Sequence, residues 1–129
     1  MKIDPEIAGP PRPPNIFETI EACTGAKYAV ELANEGNPDF YQSDGPLPGT
    51  QTGFAPVETL QQASEVCRSY IAFCRLGGGN WTGGKVYNQN NKELVALVSY
   101  NGRVWTPEPD WNDRTVLVET KNKRESVHK

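Results

Sequence analysis

The side chains best suited to chemistry in this sequence are its carboxylates, because the nucleophiles lack a base. The single histidine, His128, stands next to the last residue of the chain, so a cysteine or serine nucleophile has no obvious imidazole to activate it. Two carboxylates could act as general acid and general base, but the spacing of the acids selects no pair. The candidates are Glu18, Glu21, Glu31, Asp39, Asp44, Glu58, Glu65, Asp110 and Asp113.

The sequence gives little support for a metal-binding or a phosphate-binding site. The three cysteines, Cys23, Cys67 and Cys74, include no Cys-x-x-Cys pair, so we expect neither a metal nor a cofactor. Cys67 and Cys74 should lie about 10 Å apart on one helix, too far for a disulfide, and we expect all three thiols to be reduced and packed. Residues 77–84 are glycine-rich but follow a helix C-terminus, whereas phosphate binds at helix N-termini. We interpret them as a tight reversal, with Trp81 closing the edge of the core.

Aromatic and arginine side chains in the second half of the chain are more suggestive. Tryptophan, tyrosine and arginine are enriched at the energetic centres of protein interfaces. The same residue types also fill small cores, and we expect Trp105 to do so. The predicted partner-binding residues are Trp81, Tyr87, Tyr100, Arg103 and Trp111.

An amphipathic helix is the strongest structural pattern and would position this face. Thr59 and Gln62 fit a capping box at its start, and Gly77 after Leu76 suits a left-handed C-cap. The apolar residues recur at helical spacing, at Leu60, Ala63, Cys67, Tyr70, Ile71 and Cys74.

A strand pair follows the helix. Residues 94–100 are rich in β-branched and aromatic side chains, and Asn101-Gly102 predicts a two-residue type I′ turn. That turn places Val98 opposite Trp105. Residues 85–88 can pair with the first of these strands, which makes a three-stranded meander.

Two further strands and a short helix complete the predicted domain. Residues 26–33 alternate apolar and polar side chains, which indicates a half-buried strand beside the meander. Residues 115–119 indicate an edge strand, and residues 16–23 a short helix. Residues 34–56 are rich in Gly, Pro, Asn, Asp and Ser; they could carry function, but we favour a compact surface loop pinned by Phe40, Tyr41 and Phe54.

The ends of the chain differ from the middle in composition. Residues 1–14 contain five prolines and could form a docking strip for an aromatic groove, although we favour a solvated, flexible arm. Residues 121–129 are polar, with five Lys, Arg or His residues, and predict a flexible tail. Residues 15–120 then form a single α+β domain, an antiparallel sheet of four or five strands packed against one main helix.

Charge and hydropathy exclude several classes of protein. The chain has 16 acidic and 13 basic residues, for a net charge of −3, which argues against a nucleic-acid binder. No apolar run is long enough to span a membrane, and the amino terminus lacks the apolar stretch of a secretion signal, so we expect a cytoplasmic protein. An uncovered sheet face could also be closed by a second copy of the chain, as a homodimer.

These observations favour a non-catalytic protein-binding module, such as a small bacterial or phage accessory protein of the inhibitor, adaptor or immunity type. Two alternatives stay open. One is a small hydrolase that uses paired carboxylates from residues 34–56 and near Asp110. The other is binding of single-stranded nucleic acid on an aromatic sheet face. No sequence motif identifies the partner.

Overall fold

A computed structural model describes residues 14–119 as one six-stranded antiparallel sheet packed against one long helix. The α+β class is as predicted. The elements are β1 (Tyr28–Leu32), β2 (Gly53–Val57), α1 (Leu60–Cys74), β3 (Lys85–Asn88), β4 (Leu94–Val98), β5 (Val104–Trp105) and β6 (Val116–Val118), with 3₁₀ turns at Pro38–Phe40 and Trp111–Asp113. The predicted arm, apart from residue 14, and the predicted tail at residues 121–129 lie outside the described residues.

The strands lie in the order β2-β1-β3-β4-β5-β6, and every neighbouring pair is antiparallel. Strands β1, β4 and β6 therefore run in one direction and β2, β3 and β5 in the other. We call the end of the sheet at which β1, β4 and β6 finish the upper end, and the opposite end the lower end. Long segments leave both ends: residues 33–52 at the upper end and residues 106–115 at the lower end.

Helix α1 covers one face of the sheet, and the core lies between the two. The buried helix residues are Ala63, Ser64, Cys67, Tyr70 and Ile71, and they pack on alternate sheet positions because strand side chains point to opposite faces. We call this covered side the helix face and the other side the open face. The sheet residues of the core are Val30, Leu32, Ala55, Val57, Val86, Ala96, Val98 and Val104.

The helix begins as predicted but ends earlier. The Thr59 hydroxyl accepts a hydrogen bond from the Gln62 N–H at 3.0 Å, and the Gln62 side chain accepts one from the Glu58 N–H at 2.7 Å. The C-cap was predicted at Gly77, but Arg75 takes the left-handed conformation with φ 57°. Arg75 can take this conformation although it is not glycine, because its N–H is bonded to the Ala72 and Ile71 carbonyls in the last turn of the helix.

The hairpin between β4 and β5 differs from the prediction by one residue. Val98 pairs with Val104 and Leu97 with Trp105, so the predicted pairing of Val98 with Trp105 is wrong. The loop has three residues, because the Ser99 N–H donates to the Arg103 carbonyl at 2.9 Å. A shift of one residue exchanges the two faces of a strand. It moves Trp105 from the predicted core to the open face.

The sheet has six strands, whereas four or five were predicted, and the strand that was not anticipated is β2. Its Phe54 N–H and carbonyl are both bonded to Phe17, each at 2.7 Å. The predicted helix at residues 16–23 is absent, since this segment instead forms that bridge followed by bends and turns. Pairing with β2 satisfies the backbone N–H and carbonyl of Phe17. A short, isolated helix would have to form its hydrogen bonds without such support.

Candidate functional site

The five predicted partner-binding residues do not form one surface. Trp81 packs on the core, with its ring 6.0 Å from Tyr70 and its indole N–H donating to the Val98 carbonyl at 3.1 Å. Tyr100 is tied to the helix C-terminus, since its hydroxyl donates to the Leu76 carbonyl at 3.1 Å. Both residues therefore serve the helix side of the fold.

Tyr87 lies on the open face, but away from the other candidates. It pairs with Ala29 of β1, and its ring meets Phe54 edge to face at 6.1 Å between centroids. The small side chain of Ala29 leaves room for the two rings to meet from strands on either side of it. Tyr87 therefore belongs to the β2 half of the sheet.

Arg103 and Trp111 both contact Trp105, which was predicted to lie in the core. The rings of Trp105 and Trp111 lie 4.7 Å apart at an angle of 50°. The Arg103 guanidinium lies 5.7 Å from the Trp105 ring, and that of Arg114 lies 5.3 Å from the Trp111 ring. We call these four residues the tryptophan–arginine cluster. Paired indoles with cations over their faces are favourable beyond the area they bury.

Local hydrogen bonds hold the cluster in place. The loop that carries Trp111 is closed where Thr106 and Thr115 bond to each other twice, each at 2.8 Å. The Asp110 carboxylate caps the 3₁₀ turn through the Asn112 N–H at 2.9 Å. Trp111 nevertheless keeps 56% of its surface exposed. The structure thus presents an ordered, half-exposed indole at the lower end of the sheet.

The arginines of the cluster are already engaged. Arg103 forms a salt bridge with Glu119 at 2.6 Å, and the Arg114 Nε–H donates to the Glu108 carbonyl at 2.8 Å. The exposed carboxylates of Glu108, Asp110 and Asp113 lie on the same loop as Trp111. Among residues 14–119, the surroundings of the cluster therefore hold more acids than bases.

Sequence reasoning missed two members of the cluster. Trp105 was assigned to the core because of the hairpin register, and Arg114 was not selected. The signal that could have found Arg114 is its spacing from Trp111, three residues across a short turn. A spacing of three residues places a cation over an aromatic ring only in a helical turn, and no helical turn was predicted at these residues.

A separate depression of about 470 Å³ opens beside β1 and β2. Glu18 and Glu31 line it together with Phe54, so it contains two of the candidate acids. One carboxylate oxygen of Glu31 is buried and meets no hydrogen-bond partner within residues 14–119. Burial raises the pKa of Glu31, and the nearby Lys85 opposes this increase. This arrangement favours a proton-holding carboxyl in the wall of the depression.

The other candidate acids are placed differently. Asp39 and Asp44 are exposed on the segment between β1 and β2, and neither lines the depression. Asp110 is occupied as a cap. The pairing of an acid from residues 34–56 with Asp110 is therefore not supported, because these residues leave opposite ends of the sheet.

Residues 34–52 form a loop that is fixed by amides and not by aromatic rings. The buried Asn34 donates to Thr50 and Tyr70 and accepts from the Leu47 N–H, at 3.1, 2.8 and 2.8 Å. Asn80 ties the loop to the segment after the helix. Phe40 and Tyr41, expected to pin the loop, are 71% and 98% exposed, so that prediction is wrong.

The cysteines are free and have raised pKa values. Cys23 and Cys67 are buried, Cys74 is partly buried, and none forms a disulfide. Burial raises the pKa of each thiol, most strongly for Cys67. Such thiols are poor nucleophiles, because the reactive thiolate is disfavoured.

Among residues 14–119, no group of three or more His, Cys, Asp or Glu residues is arranged to hold a metal ion. In the same part of the chain, no helix combines the length and apolar character that crossing a membrane requires.

No protein-family model matches the chain, and comparisons with curated proteins and with solved structures likewise give no match.

Proposed function

We propose that this protein is a non-catalytic protein-binding module, which docks on a partner through the tryptophan–arginine cluster. The observation that carries the proposal is Trp111, an indole that packs at a tilt against Trp105 and is 56% exposed. A small accessory protein of bacterial or phage origin, acting as an inhibitor, adaptor or immunity protein, fits this description.

The energetics favour a binding role for the cluster. Covering the exposed half of the Trp111 indole, on the order of 100 Å², would contribute about 2–3 kcal/mol. The ring is already held by Trp105 and Arg114, so little side-chain entropy is lost when a partner covers it. Rigid aromatic and arginine side chains of this kind dominate the energy of many interfaces.

A protein partner suits the cluster better than a nucleic acid. Base stacking on an aromatic surface is accompanied by free cations that contact phosphates. Here Arg103 is paired with Glu119, and Glu108, Asp110 and Asp113 add negative charge beside Trp111. These carboxylates would repel a phosphate backbone, whereas a protein surface can offer them lysine or arginine.

The test is affinity capture from a lysate of the source cell, with the immobilised full-length protein as bait. The informative variant is Trp111→Ala, and Phe73→Ala is the matched control, because Phe73 is a 45% exposed aromatic residue on α1. Thermal unfolding of each bait verifies that it is folded.

We expect a stoichiometric partner whose affinity falls at least about ten-fold with Trp111→Ala and is unchanged with Phe73→Ala. Equal retention by all three baits would remove the tryptophan–arginine cluster from consideration. Equal loss with both variants would indicate a general loss of stability instead of a binding surface.

The hydrolase alternative is favoured by one observation, the Glu31 carboxyl with its raised pKa in the wall of the depression. A general acid needs this property at neutral pH. A substrate screen with the protein and with Glu31→Gln tests it. Turnover that Glu31→Gln abolishes would replace the binding proposal with an enzymatic one, and no turnover on any substrate would leave the raised pKa as a consequence of burial.

A further inference from the structure

A second surface, unrelated to the tryptophan–arginine cluster, lies at the tip of the loop between β1 and β2. The 3₁₀ turn Pro38–Phe40 forms this tip, with Tyr41 directly after it. Phe40 and Tyr41 are the two most exposed large hydrophobic residues of the described chain. We call Asp39, Phe40, Tyr41 and Asp44 the acidic tip.

The tip is held by hydrogen bonds of its backbone and of nearby amide side chains. The N–H groups of Phe40 and Gln42 both donate to the Asn37 carbonyl, at 3.0 and 3.2 Å. The Gln42 side chain accepts from the Asn37 N–H at 2.8 Å and from the buried Asn80 at 2.9 Å. The tip is therefore anchored to the segment after α1, and its rings are presented from a fixed base.

The backbone at Tyr41 is unfavourable for a tyrosine. Its φ of 59° lies in the left-handed region, which costs a non-glycine residue about 1–2 kcal/mol. Glycine or asparagine would adopt this conformation more easily. Arg75 takes the same conformation as the cap of α1, and Tyr41 likewise caps its turn by donating its N–H to the Pro38 carbonyl, so the backbone alone does not indicate a binding site. The side chain does, because a 98% exposed tyrosine adds little to the stability of the free protein and offers a large apolar surface to a partner.

The charge around the tip is one-sided. Residues 34–56 contain three of the 16 acidic residues of the chain, Glu35, Asp39 and Asp44, and none of its 13 lysines and arginines. The remaining chain is therefore balanced, with 13 residues of each sign, and this segment accounts for the whole net charge of −3. All three carboxylates are exposed. A complementary surface would carry lysine or arginine side chains.

We propose that the acidic tip is a second docking element, which inserts Phe40 and Tyr41 into an apolar cavity rimmed by lysine or arginine on a protein partner. The tip projects from the loop that follows β1 at the upper end of the sheet, and Trp111, the exposed ring of the cluster, lies in the loop that follows β5 at the lower end. One partner at each end makes the molecule a bridge between two proteins. This inference adds a surface to the proposed function and does not depend on the cluster.

The experiment uses five full-length baits, the wild type and four variants, against the clarified lysate of the source cell, at 50 and at 500 mM NaCl. The variants are Tyr41→Gly, which removes the ring while keeping the left-handed backbone accessible, and the charge variant Asp39→Asn with Asp44→Asn. Trp111→Ala and Phe73→Ala serve as matched controls. The captured protein is identified, purified and titrated with each variant, and each bait alone is examined by analytical ultracentrifugation.

The expected result is a partner that both control baits retain and whose Kd rises at least about ten-fold with Tyr41→Gly. The charge variant should raise the Kd by roughly three- to ten-fold and reduce its dependence on salt.

Several results would overturn the proposal. Retention of every captured protein by Tyr41→Gly, or the absence of any captured protein, rejects the tip as a docking element. A loss with Tyr41→Gly that neither salt nor the charge variant affects rejects the basic rim. Self-association of the protein alone that depends on Tyr41 assigns the tip to a second copy of the chain. A partner lost with Trp111→Ala and kept with Tyr41→Gly rejects this inference alone and leaves the proposed function intact.

Discussion

Replacing Asn34 by alanine should destabilise the protein and release the loop that carries the acidic tip. Asn34 is buried and forms three hydrogen bonds, to Thr50, Tyr70 and Leu47. At about 1 kcal/mol for each bond, Asn34→Ala should lower the free energy of unfolding by about 3 kcal/mol. For a domain of this size, the melting temperature should fall by roughly 10–15 °C.

Tyr70→Phe gives a graded comparison, because it removes one hydroxyl without opening a cavity. That hydroxyl accepts from Asn34 at 2.8 Å and donates to the Gln51 carbonyl at 2.7 Å, so the loss should be about 2 kcal/mol. Both variants remove the same Asn34–Tyr70 bond. Their effects should therefore fall short of additivity by about 1 kcal/mol in the double variant.

Urea unfolding of the wild type, the two single variants and the double variant measures these terms. Amide hydrogen exchange in residues 34–52 reports whether Asn34→Ala opens the loop before the rest of the domain unfolds. A loss below about 0.5 kcal/mol for Asn34→Ala, or full additivity in the double variant, would refute the account of a loop held by buried amides.

Three further outcomes follow from the structure. Tyr41→Gly should leave the free energy of unfolding unchanged or raise it by up to about 1 kcal/mol, because relief of backbone strain opposes the entropy of glycine; clear destabilisation in urea would show that the tyrosine packs. Glu31→Gln should raise the melting temperature more at pH 8 than at pH 4. Burial raises the folded-state pKa of Glu31, so the stability that depends on its protonated form is lost as the pH rises through that pKa. An equal increase in melting temperature at both pH values would contradict this. In native protein, a thiol reagent should modify Cys74 first and leave Cys67 unmodified, since burial raises the pKa of Cys67 and blocks access; rapid labelling of Cys67 without urea would disagree with the fold.

The strand that sequence reasoning missed contains a proline, and the reason it is tolerated is positional. Phe54 directs its N–H and carbonyl away from β1, towards Phe17. Pro56, two residues later, points the same way, so its missing N–H would have faced the outer edge of the sheet. Composition alone marks Pro56 as a breaker, whereas the edge position of β2 makes it harmless.

The hairpin register illustrates a different limit. Asn101-Gly102 predicts a two-residue turn from local preference, but the helix decides the outcome. The Ser64 hydroxyl donates to the Gly102 carbonyl at 2.6 Å, and the Arg68 guanidinium donates to the Tyr100 carbonyl. Contacts that link residues more than 30 positions apart in sequence do not appear in any local pattern.

The sequence by itself determined the amphipathic helix, its Thr59 cap, the meander and the α+β class, because these follow from periodicity and from contacts between near neighbours. Only the tertiary structure decided which aromatic residues meet. It sent Trp81 and Tyr100 to the helix side, joined Trp105 to Trp111, and left Tyr41 exposed. The reason is that the face on which a strand side chain lies depends on the pairing register of that strand. The register of β4 and β5 depends on contacts between the helix and the hairpin, which the local sequence does not specify.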